Sequence, residues 1–240
     1  MKKVKAYRNQ EFLNSKNARA LRILAEYLEP KSRFEEHGVE DTIVFFGSAR
    51  FKEGSRWYEA ARQLAFRLTE WSKALPSKAR RFVVCSGGGP GIMEAANRGA
   101  SEAKGLNVGL GISLPHEQHD NAYLTRELGF HFHYFFMRKF WFAYLAKAVI
   151  VFPGGFGTLD ELMEVTTLVQ TGKMTKRMPI VLFGTEYWDE VVDFQAMARH
   201  GTISPEDLGI VHRTDSVDEA FAYLTAYLTK HAIDKPGASL

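Results

Sequence analysis

The chain has 240 residues, 45% hydrophobic and 25% charged. That is an ordinary globular balance, which excludes a disordered, collagen-like or coiled-coil chain. A formal net charge of +3 falls short of the clustered basic excess of a nucleic-acid binder, and a lone cysteine, Cys85, makes neither an intramolecular disulfide nor a zinc cluster.

A single cysteine also fits a reducing compartment. No apolar stretch follows the basic start MKKVKAYRNQ, and the richest apolar region, residues 140–152, is interrupted by Lys147 and too short for a bilayer. A soluble, cytoplasmic protein is expected, with no membrane or nucleic-acid partner. In residues 17–28, Ala18, Leu21, Leu24, Ala25 and Leu28 follow helical spacing, and Pro30 is expected to close that helix. The polar run 31–41 then reads as a linker, so residues 1–40 form an appended arm and helix.

Residues 42–46 (TIVFF) lack polar alternation, as a strand buried on both faces should. A helical stripe follows at Trp57, Ala60, Ala61, Leu64, Ala65, Leu68 and Trp71. Next come a strand at 81–85, a helix at 91–104, a strand at 107–114 and a polar loop from Pro115 to about Arg126. Residues 129–135 read as a strand, 137–146 as a helix and 148–152 as a buried strand. The remainder reads as helix 158–170, strand 180–183, helix 188–199, strand 210–213 and helix 216–230. The capping box Ser216-Val-Asp-Glu219 opens that last helix. This alternation predicts an α/β, Rossmann-like doubly wound fold, a mostly parallel sheet with helices on both faces, as one domain over residues 41–240. Ligands of such sheets bind beyond the carboxyl ends of the strands.

Three predicted strands end in glycine-bearing turns: Phe46-Gly47-Ser48-Ala49-Arg50, Ser86-Gly87-Gly88-Gly89-Pro90-Gly91 and Pro153-Gly154-Gly155-Phe156-Gly157-Thr158. Glycine between a strand and a helix brings backbone N–H groups close to an anion. One such turn could serve packing alone; three favour a phosphate-bearing ligand. The dinucleotide fingerprint G-x-G-x-x-G is absent after the first strand, and there is no G-x-x-x-x-G-K-[ST]. A mononucleotide fits better.

Candidate chemical groups have competing readings. Thr158-Leu-Asp-Glu161 is formally a capping box, yet Glu161 would also stand beside any phosphate held by the glycine turn. Arg138 and Lys139 put positive charge at the start of an apolar helix, against the macrodipole. They are either a solvated basic pair or a ligand contact. His116, His119, His131 and His133 lack a fixed metal-ligand geometry. Ser48 lacks the G-x-S-x-G of a nucleophile elbow. Cys85, on a buried strand, reads as a core residue.

Taken together, Gly87-Gly-Gly-Pro-Gly-Ile-Met93-Glu94, Met137-Arg138-Lys139 and Pro153-Gly-Gly-Phe-Gly-Thr158-Leu-Asp-Glu161 resemble the Lonely Guy family, from about residue 41 to 183. The resemblance implies a phosphoribohydrolase acting on AMP, cytokinin riboside 5′-monophosphates or similar nucleotides, with no metal or cofactor. It implies Arg138 and Glu161 as the catalytic pair, and Gly154, Gly155, Gly157 and Thr158 as the phosphate cradle. Glu117 looks like the family's loop acid, and Met137 would lie near the base. Gly47, Ser48, Gly87, Gly88, Gly89 and Lys139 complete the expected substrate-binding set. Many members carry the label possible lysine decarboxylase, but no residue set here reads as a pyridoxal-phosphate site. The first forty residues have no counterpart in the short plant-type enzymes, which favours a general purine nucleotide over a cytokinin. A nucleotide or molybdenum-cofactor carrier with the same fold is the alternative. The apolar segment 140–145 and the stripe Met163, Val165, Leu168 and Val169 suggest a homodimer as the minimal unit, alone or within a larger homo-oligomer, as does the family.

Overall fold

The run TIVFF forms β1 (Thr42–Phe46), buried at every residue because it lies at the centre of a sheet covered on both faces. The computed structural model describes residues 4–112 and 121–238. Before β1 come α1 (Gln10–Asn14) and α2 (Arg19–Glu36). After it come α3 (Arg56–Lys73), β2 (Val83–Ser86), α4 (Ile92–Glu102), β3 (Asn107–Ile112), β4 (Gly129–Phe132) and α5 (Phe135–Leu145). The chain continues through β5 (Ala146–Val151), α6 (Phe156–Gln170), β6 (Ile180–Phe183), α7 (Thr185–Val191), α8 (Phe194–Arg199), β7 (Val211–Thr214) and α9 (Val217–His231).

Among the described residues these strands form one sheet in the order β4-β3-β2-β1-β5-β6-β7, every neighbouring pair parallel. The chain steps outward from β1 to β4, then crosses back to lay β5 against the other side of β1. Strand order therefore reverses between β1 and β5, where a doubly wound sheet opens a crevice at its carboxyl end. Alternation along β1 divides the core. Val44 and Phe46 pack with Trp141 and Phe142 of α5 and Leu162 of α6. Ile43 and Phe45 pack with Leu64 and Leu68 of α3, Ile92 of α4 and Leu224 of α9.

Pro30 does not close its helix. α2 runs on to Glu36 with Pro30 buried inside it, so the expected linker at 31–41 is largely helical. A proline lacks the N–H that would bond the carbonyl four residues back. Here that carbonyl, on Glu26, accepts instead from the Trp141 indole N–H at 2.9 Å. The same residue's carboxylate accepts the His133 and Tyr134 backbone N–H groups at 2.7 and 3.2 Å, pinning the entry to α5. Tyr27 and Phe34 of α2 lie against Trp141, with ring centroids 5.6 and 5.3 Å away. Much of the apolar surface expected to be surplus on α5 is thus covered within the chain. Phe135 and Phe136 at the start of α5 and Phe156 at the start of α6 are among the aromatic rings left exposed.

The expected helix at 188–199 is two. α7 ends at Val191, and the Asp193 carboxylate caps α8 by accepting the Ala196 N–H at 2.7 Å. Ser216 caps α9 as expected, but Glu219 turns to accept the Thr214 hydroxyl, so only half of that box forms.

Candidate active site

The turns after β1, β2 and β5 meet at the switch point. Ser48 N–H donates to the Pro153 carbonyl at 2.9 Å, and Ile92 N–H donates to the Ser48 carbonyl at 3.1 Å. Two glycines permit this approach. Gly91 has φ +70°, and a Cβ there would stand 2.3 Å from the Ser48 oxygen. A Cβ on Gly154 would stand 2.1 Å from Thr158 Oγ1. The Tyr187 hydroxyl fastens the third turn, donating to the Gly154 carbonyl at 2.6 Å. Together the turns border a cleft of about 760 Å³.

One wall is the start of α6. Gly155 is its N-cap, in extended backbone and with no side-chain cap, and its carbonyl accepts the Thr158 and Leu159 N–H groups at 3.0 Å each. The helix therefore begins at Phe156, two residues earlier than the sequence pattern suggested. Thr158 is its third residue and Glu161 its sixth, so the expected capping box does not form. The N–H groups of Phe156 and Gly157 precede any intrahelical acceptor, and both residues are exposed at the cleft. With no acid in the first turn, this end of α6 suits an anion.

Glu161 faces the same space, 3% exposed. Its Oε1 accepts from Nη2 of Arg138, the fourth residue of α5, at 3.1 Å. Burial pushes the Glu161 carboxyl above its ordinary range; Arg138 and Lys139 pull it back and Glu164 adds to the rise. The Arg138 guanidinium lies over the rings of Phe135 and Phe142, at 4.9 and 5.5 Å, and its buried Nε has no hydrogen-bond partner among the described residues. Among the described residues that line the cleft, Glu161 is the one acid. A fixed carboxylate, a cation beside it and an anion-suited helix end can stabilise a positive centre close to a bound phosphate.

The structure brings Gly47, Ser48, Gly87, Gly89, Gly154, Gly155, Gly157 and Thr158 to the cleft with Arg138 and Glu161. Three expected residues stand elsewhere. Gly88 is buried with its carbonyl accepting the Asn121 N–H and side-chain amide. Met137 packs in the core. Lys139 Nζ sits 2.8 Å from Asp160 and 2.7 Å from Glu164, on the flank of α6. Glu117, with His116 and His119, lies outside the described residues.

Arg50, Met93, His131 and Tyr187 also line the cleft, although none was expected in the substrate-binding set. Arg50 closes a turn already singled out, so it carried a signal; Tyr187 carried none. A buried amide network holds the middle turn. Asn121 Nδ2 donates to the carbonyls of Gly88 and Gly89 and to Asn97, which also accepts the Ser86 hydroxyl at 2.6 Å. Cys85 is buried and its thiol pKa is raised by burial, which leaves it no nucleophile. Among the described residues no group of three or more His, Cys, Asp or Glu could hold a metal. No helix among them is long and apolar enough to cross a membrane.

The family model described as possible lysine decarboxylase matches residues 93–224. The cytokinin riboside 5′-monophosphate phosphoribohydrolase LOG7 of Arabidopsis thaliana is 30% identical over 224 residues, covering 86% of this chain and 93% of the relative. LOG1 of the same plant is 36% identical over 96 residues, 39% of this chain and 44% of the relative. Among solved structures, the molybdenum cofactor binding protein of Rippkaea orientalis aligns with a TM-score of 0.55 at 17% identity, over 79% of this chain and 99% of that one. The molybdenum cofactor carrier protein of Chlamydomonas reinhardtii aligns at 0.51 and 18%, with the same coverage. At those identities the two structures establish the fold, a Rossmann-like parallel sheet.

Proposed function

As the chain belongs to the Lonely Guy family, we propose that it hydrolyses the N-glycosidic bond of a nucleoside 5′-monophosphate, releasing a free base and ribose 5-phosphate. The observation that carries this reading is the Arg138–Glu161 pair, 3.1 Å apart, in a cleft walled by the N-terminus of α6. Breaking an N-glycosidic bond builds positive charge on the ribose, as in other oxocarbenium-like glycosyl transfers. The Glu161 carboxylate offsets that charge and orients or deprotonates the attacking water. Arg138 holds the carboxylate in place, binds the substrate and assists departure of the base. The phosphate sits at the exposed N–H groups that open α6. The substrate is AMP-like; the relatives' names make cytokinin riboside monophosphates a further candidate.

The catalytic unit is residues 41–240, with residues 1–40 as an arm whose helix covers α5. The working form is a homodimer, joined through the exposed rings of Phe135, Phe136 and Phe156 near the cleft. A second reading is a nucleotide or molybdenum-cofactor carrier that uses the cleft without turnover, and the shared fold of the two cofactor proteins favours it. The buried carboxylate speaks against it, because a binder of anions gains nothing from negative charge in its cleft. Incubation with AMP, GMP, IMP, CMP and cytokinin nucleotides, followed by assay of free base, separates the two. Release from at least one supports the hydrolase, and release from none turns the reading to the carrier.

A further inference from the structure

A phosphate dianion beside Glu161 needs positive charge to balance it, and two of the cations near the cleft are already engaged. Lys139 is held between Asp160 and Glu164, and Arg138 is paired with Glu161. The remaining arginine of the lining is Arg50. Arg50 is two residues beyond Ser48, whose N–H bonds the Pro153 carbonyl, so the β1 turn stands directly against the turn that opens α6. The Arg50 backbone N–H is fixed by Ser48 Oγ at 3.1 Å. Its side chain is exposed and joins no ion pair or side-chain hydrogen bond among the described residues.

We propose that Arg50 is the residue that recognises the 5′-phosphate, closing over an anion seated at the start of α6 and selecting nucleotides over nucleosides. The proposal rests on the nucleotide reading of the cleft given above. Without Arg50 the charges of Arg138 and Glu161 cancel, and a dianion would meet a neutral cleft with a buried carboxylate nearby. With it, a planar fork of donors faces the phosphate oxygens opposite the backbone N–H groups. The hydroxyl of Ser48, already accepting from Arg50, keeps its own proton free to donate to the same anion.

The test is calorimetric titration of ribose 5-phosphate, AMP and adenosine into the wild-type protein, Arg50→Gln and Arg50→Lys, with base release measured alongside. Arg50→Gln is expected to weaken ribose 5-phosphate and to raise KM for AMP about tenfold to a hundredfold, as loss of one hydrogen bond to a charged group does. The kcat should stay within a few-fold of wild type, adenosine should be unaffected, and Arg50→Lys should recover part of the loss. Wild-type affinity for ribose 5-phosphate in Arg50→Gln overturns the proposal, and so does a parallel loss for adenosine, which would mean a general collapse of the cleft. If the wild-type protein releases no base but binds ribose 5-phosphate in an Arg50-dependent way, Arg50 keeps its role and the hydrolase reading falls. Absence of binding by both ribose 5-phosphate and AMP to wild type overturns both.

Discussion

Glu161→Gln replaces a carboxylate with an amide of nearly the same shape at a position only 3% exposed. The glutamine oxygen can still accept from Arg138 Nη2, now 3.1 Å away, so the geometry of α5 against α6 should hold. Two electrostatic effects on stability oppose each other. Burial raises the Glu161 pKa, so the folded state binds its proton more tightly than the unfolded chain does, and the ionised form opposes folding at neutral pH. The amide removes that penalty but leaves the Arg138 charge without a counter-ion. The melting temperature should therefore stay close to wild type. Turnover should not. Losing one electrostatic stabiliser of the transition state costs about 3 kcal/mol or more, roughly a hundredfold or more in kcat. AMP affinity should hold or improve, since the carboxylate repels the phosphate in the ground state. Base release, calorimetric AMP binding and a thermal melt on one preparation separate these effects. Wild-type turnover in the variant would refute the catalytic role of Glu161.

Arg138→Ala should lower both AMP affinity and kcat, each about tenfold or more, because a cationic contact is lost and Glu161 loses its anchor; a change confined to affinity would restrict Arg138 to binding. The raised pKa of Glu161 places the acid limb of kcat/KM above the ordinary glutamate value, activity being gained as pH rises through the limb. A pH profile whose limb lies at or below that value, or persists in Glu161→Gln, contradicts the assignment. Light scattering should give about twice the 27.2 kDa chain mass across dilution. A stable single-chain mass would rule out the dimer.

Parts of the molecule with purely local causes were legible in the sequence. β1 and β6 fall on the residues expected, because unbroken apolar runs between polar turns leave little choice of boundary. The meeting of the three glycine turns at one cleft was legible, since strand-to-helix turns in a doubly wound sheet gather at one end. What failed depended in two cases on partners remote in sequence and in a third on a nearby choice of N-cap. Pro30 looked like a helix stop, yet Trp141, 111 residues later, supplies the donor that proline lacks. Thr158 and Glu161 matched a capping box, but Gly155 could take the N-cap and let α6 start earlier. Lys139 was expected to bind substrate beside Arg138; one residue of helical rotation turns it onto Asp160 and Glu164 instead, while Arg138 reaches Glu161.

A mass balance on AMP tests the proposed chemistry most directly, because each competing activity would cut a different bond or none. Wild-type protein incubated with AMP should yield adenine and ribose 5-phosphate in equal amounts, and Glu161→Gln should yield neither at a comparable rate. Adenosine with free phosphate, IMP, or AMP recovered intact would contradict hydrolysis at the glycosidic bond.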